Sequence, residues 1–384
     1  MNTTPDRHFE GPRGTRPEEF EALVKLLNSV FRPQTQSMTR EHGYMYGLDN
    51  AEYLRIMLAD GVPVSHFGTK LWCLSVLGVP LRMASVGGVC THPDFRGKGL
   101  ATVLLQDAEK LFRAVGADLV LISGGRGIYV TNGYGKAGRC LVFDLEAGAA
   151  PKLAAPELRI RAAAAADLRI LAGLTEREPV RYHHPLDEFA QLVAGRQARI
   201  IPDQFVIVSC AGEDVAWFDL MTSFDGKTRT LWEYAGDRAA VLAGLSQFMS
   251  REGIAKVNAP VLAHDAAMLG HLKARMVPTK EEDMPEHTAK ILDFKGFMEK
   301  MRPVFQQRLG ADLLDEISFT NAGAGGVIRA GAETLALPDS REVVKLVFGS
   351  AEPVAALAGA GPQIREFIQA ALPLPLVWPG INYV

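Results

Sequence analysis

Cysteine is scarce, and charge of one sign is never gathered. The 384-residue chain has four cysteines, Cys73, Cys90, Cys140 and Cys210, far apart and without a C-x-x-C pair. That argues against a disulfide framework or a thiolate metal site and reads as buried free thiols in a reducing compartment. Net charge is -3 with no long basic run, which speaks against a nucleic-acid backbone or an anionic membrane as partner. No uninterrupted apolar segment has membrane-spanning length, and the polar residues 1–17 lack the apolar core of a signal peptide, so a cytoplasmic location with no membrane partner is expected. There is no Ser/His/Asp signature and no H-E-x-x-H. The run Tyr182-His183-His184 has no carboxylate at ligand spacing and reads as loop, so no metal is expected. His66 and His92 read as surface or capping residues.

Apolar residues make up 48% of the chain and charged residues 22%, enough to fill more than one core, and the length suggests two or three domains. Phe20, Leu23, Val24, Leu27 and Phe31 recur at helical spacing. Residues 32–50, with His42, Tyr44, Met45 and Tyr46, lack periodicity and are read as lying near a substrate entrance. The stretch 62–89 reads as successive strands, 99–115 as an amphipathic helix closed by Gly116, and Leu119-Val120-Leu121-Ile122 as a central strand. An Ala- and Pro-rich linker, 147–156, follows a further strand. A weaker copy of this order of elements then runs to about 287, which suggests an internal duplication. Domains are expected at 1–148, 157–287 and 288–384. A helix is expected at 295–309, and the apolar, proline-rich tail 372–384 is expected to be buried.

One stretch reads as chemistry. An apolar strand ends at Val89, and Arg96-Gly97-Lys98-Gly99 opens directly into the helix. The first N–H groups of a helix lack internal partners, its dipole favours anions, and glycines let a phosphate approach the backbone. The loop is not a P-loop: the residue five before Gly97 is His92, and Gly99 follows Lys98. It is not a dinucleotide fingerprint either, since Thr102 stands in the third glycine position. In the second copy the corresponding residues are Gly236-Asp237-Arg238-Ala239, with no glycine pair and an acid that would repel phosphate. A single anion site, in the first domain, is therefore expected.

The R-G-x-G-L-A junction, together with the later Ile128-Tyr129-x-x-x-Gly133-Tyr134, resembles the GNAT superfamily of acetyl-CoA-dependent N-acetyltransferases. The resemblance implies that Val89, Cys90 and Thr91 line the pantetheine arm. Arg96, Gly97, Lys98, Gly99, Leu100, Ala101 and Thr102 would bind the pyrophosphate, and Gly124 and Gly125 would sit near the same arm. Tyr129 would protonate the departing thiolate; a phenol with an ordinary pKa near ~10 is protonated at neutral pH. Tyr134 reads as core.

The layout of the whole chain is similar to the Eis (enhanced intracellular survival) family. That resemblance implies an α+β architecture: tandem GNAT-like mixed α/β domains, the second degenerate, and a C-terminal sterol-carrier-protein-like α+β domain. It also implies that the carboxylate of Val384 enters the site as general base, that the acceptor is a primary amine of aminoglycoside or polyamine type, and that the chain forms a homo-oligomer, a hexamer or trimer. The competing reading is a non-catalytic acyl-CoA or lipid sensor.

Overall fold

The computed structural model describes residues 8–32, 37–147, 157–223, 225–285, 287–310 and 314–383. Three sheets organise these residues. In the first, Phe9–Gly14, Leu54–Ala59, Val62–Val76 and Val79–Thr91 form an antiparallel ladder. Leu119–Ser123 joins Val79–Thr91 in parallel, and His287–Ile291 joins Leu119–Ser123 antiparallel. Val180–His183 pairs with the far half of Val62–Val76. The second sheet runs Lys280–Asp283, Arg139–Glu146, Lys256–Leu262, Arg229–Gly236, Glu213–Thr222, Gln204–Cys210, Arg159–Ala162. A parallel pair bridged by a helix recurs in it: Arg229–Gly236, helix Arg238–Glu252, then Lys256–Leu262.

Burial explains the elements. Leu119, Val120, Leu121 and Ile122 are all 3% exposed or less, as a strand covered on both faces requires. Helix Leu100–Ala114 buries Leu100, Leu104, Leu105, Ala108 and Phe112. Val103, three positions after Leu100, faces outward at 39% exposed, and Leu105 is wholly buried. Helix Phe20–Phe31 lays Leu23, Leu26 and Leu27 on the opposite face of the sheet.

The two sheets do not follow the expected boundaries strand for strand. Arg139–Glu146, just before the linker, lies in the second sheet between Lys256–Leu262 and Lys280–Asp283. His287–Ile291, far downstream, returns to the first sheet and covers the edge of Leu119–Ser123. Each sheet thus carries a strand from the other's stretch of sequence, and neither Leu119–Ser123 nor Lys256–Leu262 is left as an open edge.

The third unit has an antiparallel sheet, Ile317–Ala322, Gly325–Ala330 and Glu333–Leu337, packed with helices Ser340–Phe348 and Pro362–Ala371. The single helix expected at 295–309 is two, Phe294–Lys300 and Arg302–Leu309. Pro303 cannot donate to a continuing helix and sits in the first turn of the second one. All four cysteines are free, but Cys73 is exposed and Cys210 half-buried, so only Cys90 and Cys140 are buried thiols. Among the described residues no helix is long and apolar enough to cross a membrane, and no three His, Cys, Asp or Glu side chains gather as a metal site.

Candidate active site

The site grows from a gap between two parallel strands. Val79–Thr91 and Leu119–Ser123 pair from Met83/Leu119 to Val86/Ile122 and then part. Beyond that point the edge of Val79–Thr91 that faced Leu119–Ser123 is open, and it carries Val89, Cys90 and Thr91. Backbone groups on such an edge can take the amides of an extended ligand as another strand would. The other edge stays paired, with Cys90 opposite His66 and Thr91 opposite Ser65. A bulge intervenes: Gly68 faces Gly87, so two residues, Gly88 and Val89, oppose Phe67.

Gly88 has a φ of +60°, and a side chain there would collide with the Tyr46 hydroxyl. The bulge therefore needs glycine, and the phenol of Tyr46 fills the space. Tyr46 and His66 flank Gly68, their rings 6.0 Å apart. Tyr46 Oη and His66 Nε2 are buried and have no protein partner, which marks a place where water or a ligand completes the hydrogen bonding. His66 is fully buried, contrary to the surface or capping role expected of it. Its strand is covered on both faces, by helices Phe20–Phe31 and Leu100–Ala114, so alternation along it does not reach solvent. Burial holds the His66 imidazole neutral, its pKa lowered to about 3.

The loop at the mouth has the shape expected of an anion cradle. Arg96 ends a short turn, Pro93–Phe95, and its Nε donates to the carbonyl of Thr91 at 3.2 Å. Gly97 and Gly99 both have φ +76°, with open space where a side chain would stand. Gly99 caps helix Leu100–Ala114 from a left-handed conformation, so the helix N-terminus at Leu100, Ala101 and Thr102 faces the loop. Lys98 lies between the glycines. A pyrophosphate fits this combination of bare backbone, helix dipole and cation.

The opposite wall follows Leu119–Ser123. Gly124, at φ +132°, packs against the Tyr129 ring, and Gly125 lies beside the Lys136 stem. Tyr129, on the one-turn helix Gly127–Thr131, is 3% exposed. Burial pushes its phenol above the ordinary value, and Arg126 partly opposes this. The phenol is therefore a proton donor, not a phenolate, at neutral pH. Arg126 was not singled out in the sequence because it belongs to no motif. In space it and Arg96 both act on Cys90 from opposite walls. Burial still raises the Cys90 thiol to about 12, so this cysteine is no thiolate nucleophile. Tyr134 is wholly buried under the Lys290 ammonium, the core residue expected.

The tail reaches the same gap from the second sheet. Trp378 Nε1 donates to the Trp232 carbonyl at 2.5 Å, Trp232 Nε1 donates to the Gly380 carbonyl at 2.7 Å, and Ile381 N donates to Glu233 Oε2 at 2.6 Å. Tyr383 then sets its ring against Trp232 and His287, with centroids 5.5 and 5.4 Å apart, and takes the Tyr44 hydroxyl on its carbonyl at 3.2 Å. His287 is the register partner of Ser123, the last residue of Leu119–Ser123. The burial expected of the tail holds for Leu374, Leu376, Val377 and Ile381; Val384 lies outside the described residues. The run Tyr182-His183-His184, expected as loop, is mostly strand, laid on Val62–Val76.

These features define a class before any particular relative. Residues 12–137 match the family model of the acetyltransferase (GNAT) domain. The chain thus carries a GNAT domain and is an acyltransferase, with an acyl-CoA as its expected donor. Solved structures share the fold along the chain. A probable N-acyltransferase from Enterococcus faecalis V583 is 14% identical with a TM-score of 0.70, covering 96% of this chain and 98% of that one. A GCN5-related N-acetyltransferase from Anabaena variabilis is 15% identical with a TM-score of 0.67, covering 97% and 98%. Eis1 from Mycobacterium abscessus is 15% identical with a TM-score of 0.62, covering 97% and 99%. No curated protein sequence matches the chain.

Proposed function

We propose that the protein transfers an acetyl group from acetyl-CoA to a primary amine, by direct attack within a ternary complex. The observation that carries this reading is the strand gap itself: an open backbone edge at Val89, Cys90 and Thr91, a glycine cradle at one end and the Tyr129 phenol on the facing wall. The pantetheine would lie on the open edge and the pyrophosphate against residues 96–102. Backbone N–H groups beside Val89 would polarise the thioester carbonyl. The amine nitrogen attacks the carbonyl carbon and the C–S bond breaks. Tyr129 gives its proton to the sulfur, and the ammonium proton passes to the Val384 carboxylate, directly or through water. The high pKa of Cys90 supports direct transfer over an acyl-cysteine intermediate.

The acceptor class we propose is a cationic amine of aminoglycoside or polyamine type. It would enter beside Tyr44, Tyr46 and Tyr383, where the polar atoms of Tyr46 and His66 lack partners. The third unit we read as sterol-carrier-protein-like, its role here to anchor the tail, and the chain as a homo-oligomer, trimer or hexamer. The test is thiol release from acetyl-CoA against a panel of aminoglycosides, polyamines and simple amines, with propionyl- and longer acyl-CoA as alternative donors. Turnover with an amine and acetyl-CoA supports the proposal. Acetyl-CoA binding without turnover of any amine would overturn it in favour of a sensor.

A further inference from the structure

The second sheet repeats the gap, and its version holds a cavity of about 650 Å³. Arg229–Gly236 and Lys256–Leu262 pair in parallel only at Thr230/Asn258 and then part. Where the first domain leaves an open glycine cradle, this one is closed to anions. Asp237 caps helix Arg238–Glu252 with its own carboxylate, accepting from Ala240 N at 2.7 Å. Arg238 is clasped by both oxygens of Glu178, at 2.8 and 2.6 Å, and by Asp265 at 3.0 Å. A phosphate would have to displace these carboxylates.

The rest of the cavity is unlike the cofactor gap. Trp232, Trp378, Tyr182 and Phe189 line it with rings. Three polar side chains of its lining are incompletely partnered. The Asn382 side-chain oxygen is buried without a partner. His184, its side chain 4% exposed, uses Nδ1 toward the Glu188 carboxylate at 3.0 Å, and Nε2 has no partner. Glu233 has a single hydrogen bond, from Ile381 N, and no ion pair among the described residues. Burial pushes its carboxyl up to about 7, against the opposing pull of the Ile381 N–H and of Arg196. A ligand matching this wall donates hydrogen bonds, carries positive charge and presents an apolar body to indole and phenol faces.

We propose that the cleft of the second domain is a binding site for an aromatic or alkyl ammonium ion, held by Glu233, His184 and Asn382 within the Trp232–Trp378 ring wall. The site is separate from the cofactor gap, since none of the residues assigned to acetyl-CoA lines it. Trp378, Ile381 and Asn382 belong to the tail that delivers Tyr383 to the transfer centre, so an occupant touches the segment on which the proposed base rides.

The test is calorimetric titration of the full chain, without acyl-CoA, using phenethylamine and its neutral isostere 2-phenylethanol. The expected result is one saturable site for the amine and at least tenfold weaker binding of the alcohol on the unaltered chain, a comparison that needs no variant. Glu233→Gln should weaken the amine by at least tenfold, with unchanged affinity for acetyl-CoA confirming an intact fold. Equal binding of amine and alcohol, no binding, or equal amine binding by the chain and by Glu233→Gln would overturn the proposal. The readout is independent of turnover, so it can fail while the acetyltransferase reading stands, and the reverse.

Discussion

Tyr129 and His66 show how burial sets the protonation state of single side chains. Tyr129 is protonated because desolvation disfavours its anion, so it can give a proton to a thiolate but cannot act as base. Tyr129→Phe removes the proton and keeps the ring packed on Gly124. Steady-state kinetics should show kcat reduced by about 10²- to 10⁴-fold, the range for loss of a general acid, while calorimetry shows acetyl-CoA affinity within about twofold of the unaltered chain. A parallel loss of affinity would make Tyr129 a packing residue. His66 gives a pH prediction. Its folded pKa lies below the ordinary 6.5, so the unfolded chain binds the extra proton first. The stability tied to its neutral form is present above pH 6.5 and is lost as pH falls from there toward 3. In denaturant titrations His66→Gln should therefore lose less stability than the unaltered chain, by about 1 kcal/mol per pH unit below pH 6. Equal slopes would mean that His66 is solvated. The burial of His66 was not legible in the sequence, because one strand pattern fits both a half-exposed sheet and one covered by helices on both faces.

Among the elements, the glycine cradle was legible and the far wall of the gap was not. Arg96-Gly97-Lys98-Gly99 is contiguous, and its meaning follows from strand, loop and helix in immediate succession. Arg126 meets Cys90, and His287 meets Ser123, only because distant segments pair: Thr288 donates to the Gly124 carbonyl across 164 positions. No local periodicity records such a contact. The cradle supports a sharp prediction. Gly97→Ala and Gly99→Ala each force a Cβ into left-handed backbone, at a cost of about 1–2 kcal/mol. The added methyls enter open space on the side where phosphate would approach. Each variant should melt a few degrees lower and bind acetyl-CoA at least tenfold more weakly, with kcat at saturating donor largely kept. The counterpart Asp237→Gly in the second copy should leave acetyl-CoA binding unchanged, since Glu178 and Asp265 still occupy Arg238. A second acetyl-CoA site appearing in that variant would show that the cap alone had closed the cleft.

For the molecule, the exchange of strands between the two sheets has the widest consequence. The duplication was visible in the repeated order of elements, but the crossing was not, because Arg139–Glu146 is equally suited by pattern to the sheet before it and the sheet after it. Its partner, Lys256–Leu262, lies on the far side of the linker. Once Arg139–Glu146 crosses over, the edge of Leu119–Ser123 is free, and His287–Ile291 takes it. Each half thus lends a strand that the other needs to bury apolar surface, so the halves should not melt separately. A chain of residues 1–148 would expose Leu119–Ser123 and carry Arg139–Glu146 without its sheet. It should give no cooperative thermal transition and should aggregate, whereas co-expression with residues 149–384 should restore a soluble complex that binds acetyl-CoA. Calorimetry of the intact chain should then show the two sheets unfolding in one transition. A fragment 1–148 that folds, melts cooperatively and binds acetyl-CoA alone would mean that the strand exchange is not required for the first domain to fold. The same exchange gives the acyltransferase a reason for its second, cradle-less copy. That copy is the frame on which Trp232 and Glu233 hold the tail, and through the tail it sets where Tyr383 meets His287 beside the end of Leu119–Ser123.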